Sequence, residues 1–169
     1  INGNGFTIDA KGKSRIFKVT AGSINITDVT FKNGKADYGG AIYFSNAISN
    51  SNINATYINN TANYGGANHF RSIVSNSNIT GTYNNNIATQ IGGANHFRSI
   101  VSTSNINGIY KNNTAQRGGA NYFYSVSNSN ITGTYNHNTA NWNGGANYFY
   151  WGVSNSNING TYKHNTAKN

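Results

Sequence analysis

One phrase recurs along this chain at an almost constant interval. Gly-Gly-Ala begins at Gly39, Gly65, Gly92, Gly118 and Gly144, so successive copies stand 26, 27, 26 and 26 residues apart. A period of this size belongs to solenoids, propellers and arrays, where one unit cannot bury its apolar face alone and stacked neighbours share a continuous core. A propeller blade needs about 40 residues or more, and a leucine-rich repeat would show Leu columns. This chain has no Leu.

Aligning the copies turns the sequence into columns. Phe44, Phe70, Phe97, Phe123 and Phe149 close the Gly-Gly-Ala phrase. A second phrase runs from Ser51 to Tyr57 and returns at Ser77–Tyr83, Ser104–Tyr110, Ser129–Tyr135 and Ser156–Tyr162, with an earlier relative from Ser23 to Phe31. It alternates with period two, the signature of a half-buried strand. Ile53, Ala55 and Tyr57 share the inward face, opposite Asn54 and Thr56. Gly or Ala in the middle of each copy leaves room for the ring beside it. Gly, Asn, Thr and aromatic residues are poor helix formers, and no helical apolar stripe recurs.

One unit holds two or three short strands at ~3.3 Å per residue, and coils stacked ~4.8 Å apart pair each strand with its equivalent in the next. The expected fold is all-β: a right-handed parallel β-helix of about six to seven coils, 26–27 residues per coil, forming a rod of roughly 30 Å. Residues 1–38 make divergent N-terminal coils and 39–169 five near-identical repeats, in one continuous domain. Phe44, Phe70, Phe97, Phe123 and Phe149 are expected to stack as an internal ladder. Asn60, Asn86, Asn113, Asn138 and Asn165, three residues after each Tyr, are expected to stack amide on amide and satisfy turn backbone. Ile48, Val74, Val101, Val126 and Val153 should form an aliphatic ladder at a corner, with Ala62, Ala88, Ala115, Ala140 and Ala167 packed under the turn. The absence of Pro suits strands that donate on both sides.

There is no Cys, which excludes disulfides and thiolate metal sites. No apolar run approaches the ~18 residues of a membrane-spanning helix. The pattern opens in mid-phrase at Ile1 and stops in mid-phrase at Asn169, which reads as a processed product or a slice of something longer. Net charge is +9, with only three acids, Asp9, Asp28 and Asp37. The excess comes from scarce acids rather than dense bases, so it argues only weakly for a nucleic-acid partner.

These motifs resemble the β-helix repeats of chlamydial polymorphic outer-membrane proteins. Gly39-Gly40-Ala41-Ile42 fits their Gly-Gly-Ala-Ile, although later copies carry Asn68, Asn95, Asn121 and Asn147 in place of Ile. Their Phe-x-x-Asn appears here with Tyr: Tyr57-x-x-Asn60, Tyr83-x-x-Asn86, Tyr110-x-x-Asn113, Tyr135-x-x-Asn138 and Tyr162-x-x-Asn165. A closer likeness is to the adhesin-like surface proteins of methane-producing archaea, with openings similar to Gly5-Phe6-Thr7-Ile8-Asp9 and Phe31-Lys32-Asn33-Gly34. The likeness spans the whole chain. It implies an exported protein at the cell surface and carries over no catalytic residue.

The candidate chemistry is correspondingly sparse. A lyase or glycosidase needs paired carboxylates or a cation held by several, whereas Asp9, Asp28 and Asp37 fall on different coils or around a turn. His69 and His96 share a column with Tyr43, Tyr122 and Tyr148, and His137 and His164 form a second pair in the Asn-rich turn. Neither pair has a carboxylate or thiolate beside it, so both read as stacked rings rather than metal ligands. Arg71 and Arg98 share a column with Tyr124 and Tyr150. With Trp151 and Trp142 they are the candidate ligand face, a basic and aromatic strip able to hold sugar rings or stack bases. Outward Thr80/Thr82, Thr132/Thr134 and Asn159/Thr161 are similar to the rows of ice-binding solenoids, but Asn54/Thr56 and Asn107/Ile109 interrupt them. Seven Asn-x-Thr sequons, at Asn25, Asn54, Asn59, Asn78, Asn112, Asn130 and Asn159, match what the composition yields by chance.

The sequence therefore predicts a non-enzymatic, extracellular cell-surface adhesin or stalk module. No cofactor or metal is expected, and the partner is a surface glycan or a neighbouring cell surface. The alternative is a filament subunit stacking end to end on copies of itself through uncapped coils. A carbohydrate lyase and an ice-binding solenoid are more distant readings.

Overall fold

A computed structural model describes residues 1–20 and 22–168. Ala21 and Asn169, the last residue of the fifth repeat, lie outside the described residues. The chain is a parallel β-solenoid of about six coils, with no helix among the described residues. Each repeat passes through three sheets in turn. In the first full repeat the strands are Lys35–Tyr38, then Ile42–Phe44 and Ile48–Ser49, then Asn52–Ile58. We call the sheets C, B and A in that order.

Sheet A stacks Asn25–Lys32, Asn52–Ile58, Asn78–Asn84, Asn105–Lys111 and Asn130–Asn136, with Thr7–Asp9 at one edge and Asn157–Ile158 and Thr161–Lys163 at the other. Every pairing is parallel, and the inward columns place like on like: Ile79 beside Ile53 and Ile106, and Tyr83 beside Tyr57 and Tyr110. Ile53, Ala55 and Tyr57 are buried and Asn52 and Asn54 exposed, as the alternation required. Gly in the middle column does leave room for the ring. A Cβ on Gly108 would lie 3.1 Å from the Tyr110 ring and 2.7 Å from the Gly81 carbonyl oxygen.

The core is built of two columns of flat rings. Phe44, Phe70, Phe97, Phe123 and Phe149 stack at centroid distances of 4.4, 4.6, 4.8 and 5.0 Å, within 9° of parallel. Tyr57, Tyr83, Tyr110, Tyr135 and Tyr162 stack at 4.7 to 4.8 Å, within 5° of parallel. The backbone ladder spacing of ~4.8 Å sets this distance. Each buried ring contributes roughly 1.5–3 kcal/mol by leaving water.

Three corners join the sheets. At the corner from sheet C to sheet B, Gly39, Gly65, Gly92, Gly118 and Gly144 adopt left-handed φ between 58° and 66°. The second glycine is held by proximity: a Cβ on Gly66 would sit 2.1 Å from the Gly93 carbonyl oxygen. At the corner from B to A, the Ser51, Ser77 and Ser104 amides each donate to the hydroxyl of the serine in the next coil, at 3.2, 3.1 and 3.0 Å.

The corner from A to C carries the expected asparagine ladder. The Asn60 amide N–H and side-chain Nδ2 both donate to Asn86 Oδ1 at 3.0 Å, and Nδ2 also donates to the Phe31 carbonyl at 3.1 Å. The same pattern passes through Asn113 and Asn138 to Asn165. Each buried carboxamide thus does in the corner what a ladder does in a strand. Ala62, Ala88, Ala115 and Ala140 are buried beside it.

The last coil departs from the expectation of uniform burial. Ile48, Val74, Val101 and Val126 are buried, but Val153 is 42% and Tyr162 46% exposed. Ala167 is exposed as well. A ladder covers a side chain only from both sides, and among the described residues no coil follows this one.

Candidate basic and aromatic strip

The outward residues flanking Gly-Gly-Ala form a continuous aromatic ridge along the rod. Tyr38 and Tyr64 end their sheet C strands and pair in register, and their rings stack at 5.3 Å. Across the glycine corner, Tyr43, His69, His96, Tyr122 and Tyr148 follow one another in sheet B, with centroids 5.5, 4.6, 5.1 and 5.5 Å apart. The two columns touch, since Tyr38 lies 5.1 Å from His69 and Tyr64 5.8 Å from His96.

This contact buries the two histidines although they point away from the core. Their exposures are 1% and 5%. His69 and His96 do not stack face to face as the sequence reading had it. Their rings cross at 81°, edge to face, the arrangement a ring quadrupole favours. Burial, reinforced by the Arg98, Arg15 and Arg71 charges, pulls His69 down to about 3. Burial also holds His96 well below the ordinary histidine value, with His69 and Arg98 adding to it. Both rings are therefore neutral at pH 7, and both Nδ1 atoms are buried without a hydrogen bond. Three guanidiniums acting on one site oppose a cation there. His137 and His164 do stack, at 4.8 Å and 29°, on an exposed turn where both have left-handed φ. Among the described residues, no three of His, Cys, Asp and Glu gather closely enough to hold a metal ion.

The residues singled out in the sequence lie beside this ridge. Arg71 and Arg98 directly follow the paired Phe70 and Phe97, and both are exposed. Tyr124 and Tyr150 directly follow Phe123 and Phe149, with rings 6.0 Å apart and exposures of 38% and 55%. Tyr150 reaches back to the ridge, 6.2 Å from Tyr122. Trp151 is 76% exposed. Two residues, Tyr150 and Trp151, separate Phe149 from Gly152, where Tyr124 alone separates Phe123 from Ser125; this bulge re-aims the side chain outward.

Sequence reasoning missed four features here. Arg15 donates to the Tyr38 carbonyl at 2.9 Å and lies over the Tyr43 ring at 5.1 Å. Arg117 lies over Trp142 at 4.9 Å. Trp142 falls in a second bulge, where Ala115 and Arg117 pair with Ala140 and Asn143. The local one-residue length changes between repeats were the signal for both bulges. Asn68, Asn95, Asn121 and Asn147 form a second inward carboxamide ladder, with Nδ2 to Oδ1 distances of 3.0, 2.9 and 3.0 Å. The Tyr57 hydroxyl faces Asn68, and burial pushes that phenol well above its ordinary pKa. The repeated exchange of Ile42 for Asn pointed to this ladder.

Two of the three carboxylates accept hydrogen bonds from amide groups. Asp9 accepts from the Lys11 amide at 2.8 Å and from Asn33 at 2.9 Å, and these bonds hold it below its ordinary pKa. Asp37 accepts from Asn63 at 3.0 Å. Asp28 sits at φ 51° in an irregularity of sheet A. No protein-family model, curated protein or solved structure matches this chain.

Proposed function

We propose that this protein is a non-enzymatic, extracellular surface module, an adhesin or stalk whose rigid solenoid presents the strip of Arg71, Arg98, Tyr124, Tyr150 and Trp151 to surface glycans. The supporting observation is the line of exposed rings and guanidiniums fixed by consecutive strands. Tyr124 and Tyr150 stand 6.0 Å apart on adjacent coils, in the column that carries Arg71 and Arg98. Exposed rings hold sugars by face contact, and a stiff β scaffold lowers the ordering cost of binding. A glycan array tests the reading. Retained binding in the Tyr124→Ala/Tyr150→Ala/Trp151→Ala variant, or no binding to any glycan by the unaltered protein, overturns it.

End-to-end assembly is the second reading. It draws on the stacking itself: successive strands of each sheet pair in parallel register, an arrangement that a coil of another copy can extend. The first coil offers an imperfect counterpart. Its ladder column holds Gly12, whose amide donates to the Asn33 carbonyl, and no carboxamide. Light scattering at high concentration separates the readings: a strict monomer opposes assembly.

A further inference from the structure

We propose that the strip takes an acidic polysaccharide, one carrying carboxylate or sulfate groups, laid lengthwise along the rod. This rests on the glycan-binding reading and specifies its ligand class.

The argument begins with what the sequence leaves unpaired. After Asp37 the chain contains no Asp or Glu, although Arg71, Arg98, Lys111, Arg117, Lys163 and Lys168 all follow it. Of the three acids, Asp9 and Asp37 already accept hydrogen bonds from amide groups. Lys18 pairs with Tyr43 at the start of the ridge column. Lys32, Lys111 and Lys163 fall in one column of sheet A. All four arginines lie along the ridge: Arg15 over Tyr43, Arg71 and Arg98 on adjacent coils, and Arg117 over Trp142. The charges of Arg15, Arg71 and Arg98 all bear on His69.

Like charges on adjacent coils repel; Asp37 bears on Arg15, but among the described residues no carboxylate is paired with Arg71 or Arg98. An anionic ligand supplies that counter-charge. Guanidinium is also the group whose planar fork matches carboxylate and sulfate geometry. The neighbouring Tyr124, Tyr150 and Trp151 rings offer faces to the uncharged side of a sugar. Together they run along the rod, so the ligand that satisfies all of them is a chain rather than a single sugar.

The test measures binding of polygalacturonate, a heparin-type sulfated oligosaccharide, neutral dextran and poly-dT to the intact chain. Polygalacturonate or the sulfated oligosaccharide is expected to bind, dextran at least tenfold more weakly, with affinity falling as salt rises. R71Q/R98Q is expected to weaken acidic-polysaccharide binding by roughly tenfold. R71K/R98K should recover only part of it, because ammonium lacks the fork. K32Q/K111Q/K163Q, which removes more charge from sheet A, should change it less than about twofold. Circular dichroism and thermal unfolding confirm that each variant is folded, as expected for positions outside the core.

Dextran bound as tightly as the acidic polymers, with Arg variants neutral and the aromatic variant dead, overturns this proposal and leaves glycan binding standing. Equal losses in the sheet A variant reduce the effect to net charge and overturn it. Poly-dT bound more tightly than either acidic polysaccharide overturns it in favour of a nucleic acid. No binding to any polysaccharide overturns both readings.

Discussion

Asn86 is the most informative side chain to remove. Its Oδ1 accepts from the Asn60 amide and from Asn60 Nδ2, and its own Nδ2 donates to the Tyr57 carbonyl and to Asn113 Oδ1, all at 3.0 to 3.1 Å. The site is fully buried. Asn86→Ala deletes four hydrogen bonds; the Asn60 amide N–H and the Tyr57 carbonyl lose these partners, whereas Asn60 Nδ2 keeps the Phe31 carbonyl and Asn113 Oδ1 keeps the residue-86 amide. At about 1 kcal/mol net per bond the loss is about 4 kcal/mol, near the top of the range for single substitutions. Asn78 is the internal control. It also belongs to an asparagine column, but it is exposed and its side chain makes one bond of 3.3 Å, to Asn52. Asn78→Ala should cost about 0.5 kcal/mol or less. Urea unfolding followed by circular dichroism gives the shift in midpoint, and amide exchange at Asn60 reports the freed N–H. Asn86→Asp sharpens the test. A carboxylate can accept from Asn60 but opposes the Tyr57 and Asn113 oxygens, so its folded pKa is raised above the unfolded ~3.9. The protonated acid regains a donor, so stability is recovered below about pH 4 and lost as pH rises. Equal costs for Asn86→Ala and Asn78→Ala, or an Asn86→Asp variant indifferent to pH, would refute the claim that this ladder holds the corner.

Three further outcomes follow from the same geometry. His69 and His96 have folded pKa values depressed below ~6.5, so the unfolded chain binds protons first; stability should be complete above about pH 6.5 and fall as pH drops toward 3, and His69→Tyr/His96→Tyr should flatten that decline in urea midpoints at pH 7 and 4.5. Thr103 holds φ 48° in a column otherwise occupied by Asn50, Asn76, Asn128 and Asn155, so Thr103→Asn should stabilise by about 1 kcal/mol and raise the thermal midpoint, whereas an unchanged midpoint removes the strain argument. Gly66→Ala drives a Cβ to 2.1 Å from the Gly93 carbonyl and should cost more than about 3 kcal/mol or abolish folding; a variant as stable as the parent would contradict the spacing at that corner.

The repeat period and the two-residue alternation carried most of the fold, because a parallel solenoid stacks each residue on its own equivalent. Once the period is known, a column in the alignment is a column in space. Phe70 over Phe97 and Asn60 over Asn86 needed nothing more. The columns that went unread are those whose environment depends on another strand. His69 looks like an outward residue by alternation, and only the Gly-Gly corner folding Tyr38 and Tyr64 onto it makes it buried. Asn68 looks like a lapse from Ile until the Tyr57 hydroxyl is seen facing it. Arg117 and Trp142 come from different coils and meet through a bulge. What the amino-acid order determined alone was therefore the axial direction: which residue lies above which, at the ladder spacing. What the tertiary structure decided was the lateral direction, meaning which columns touch around the corners. Local periodicity sets no distance between two columns, whereas the left-handed glycines and single-residue bulges do.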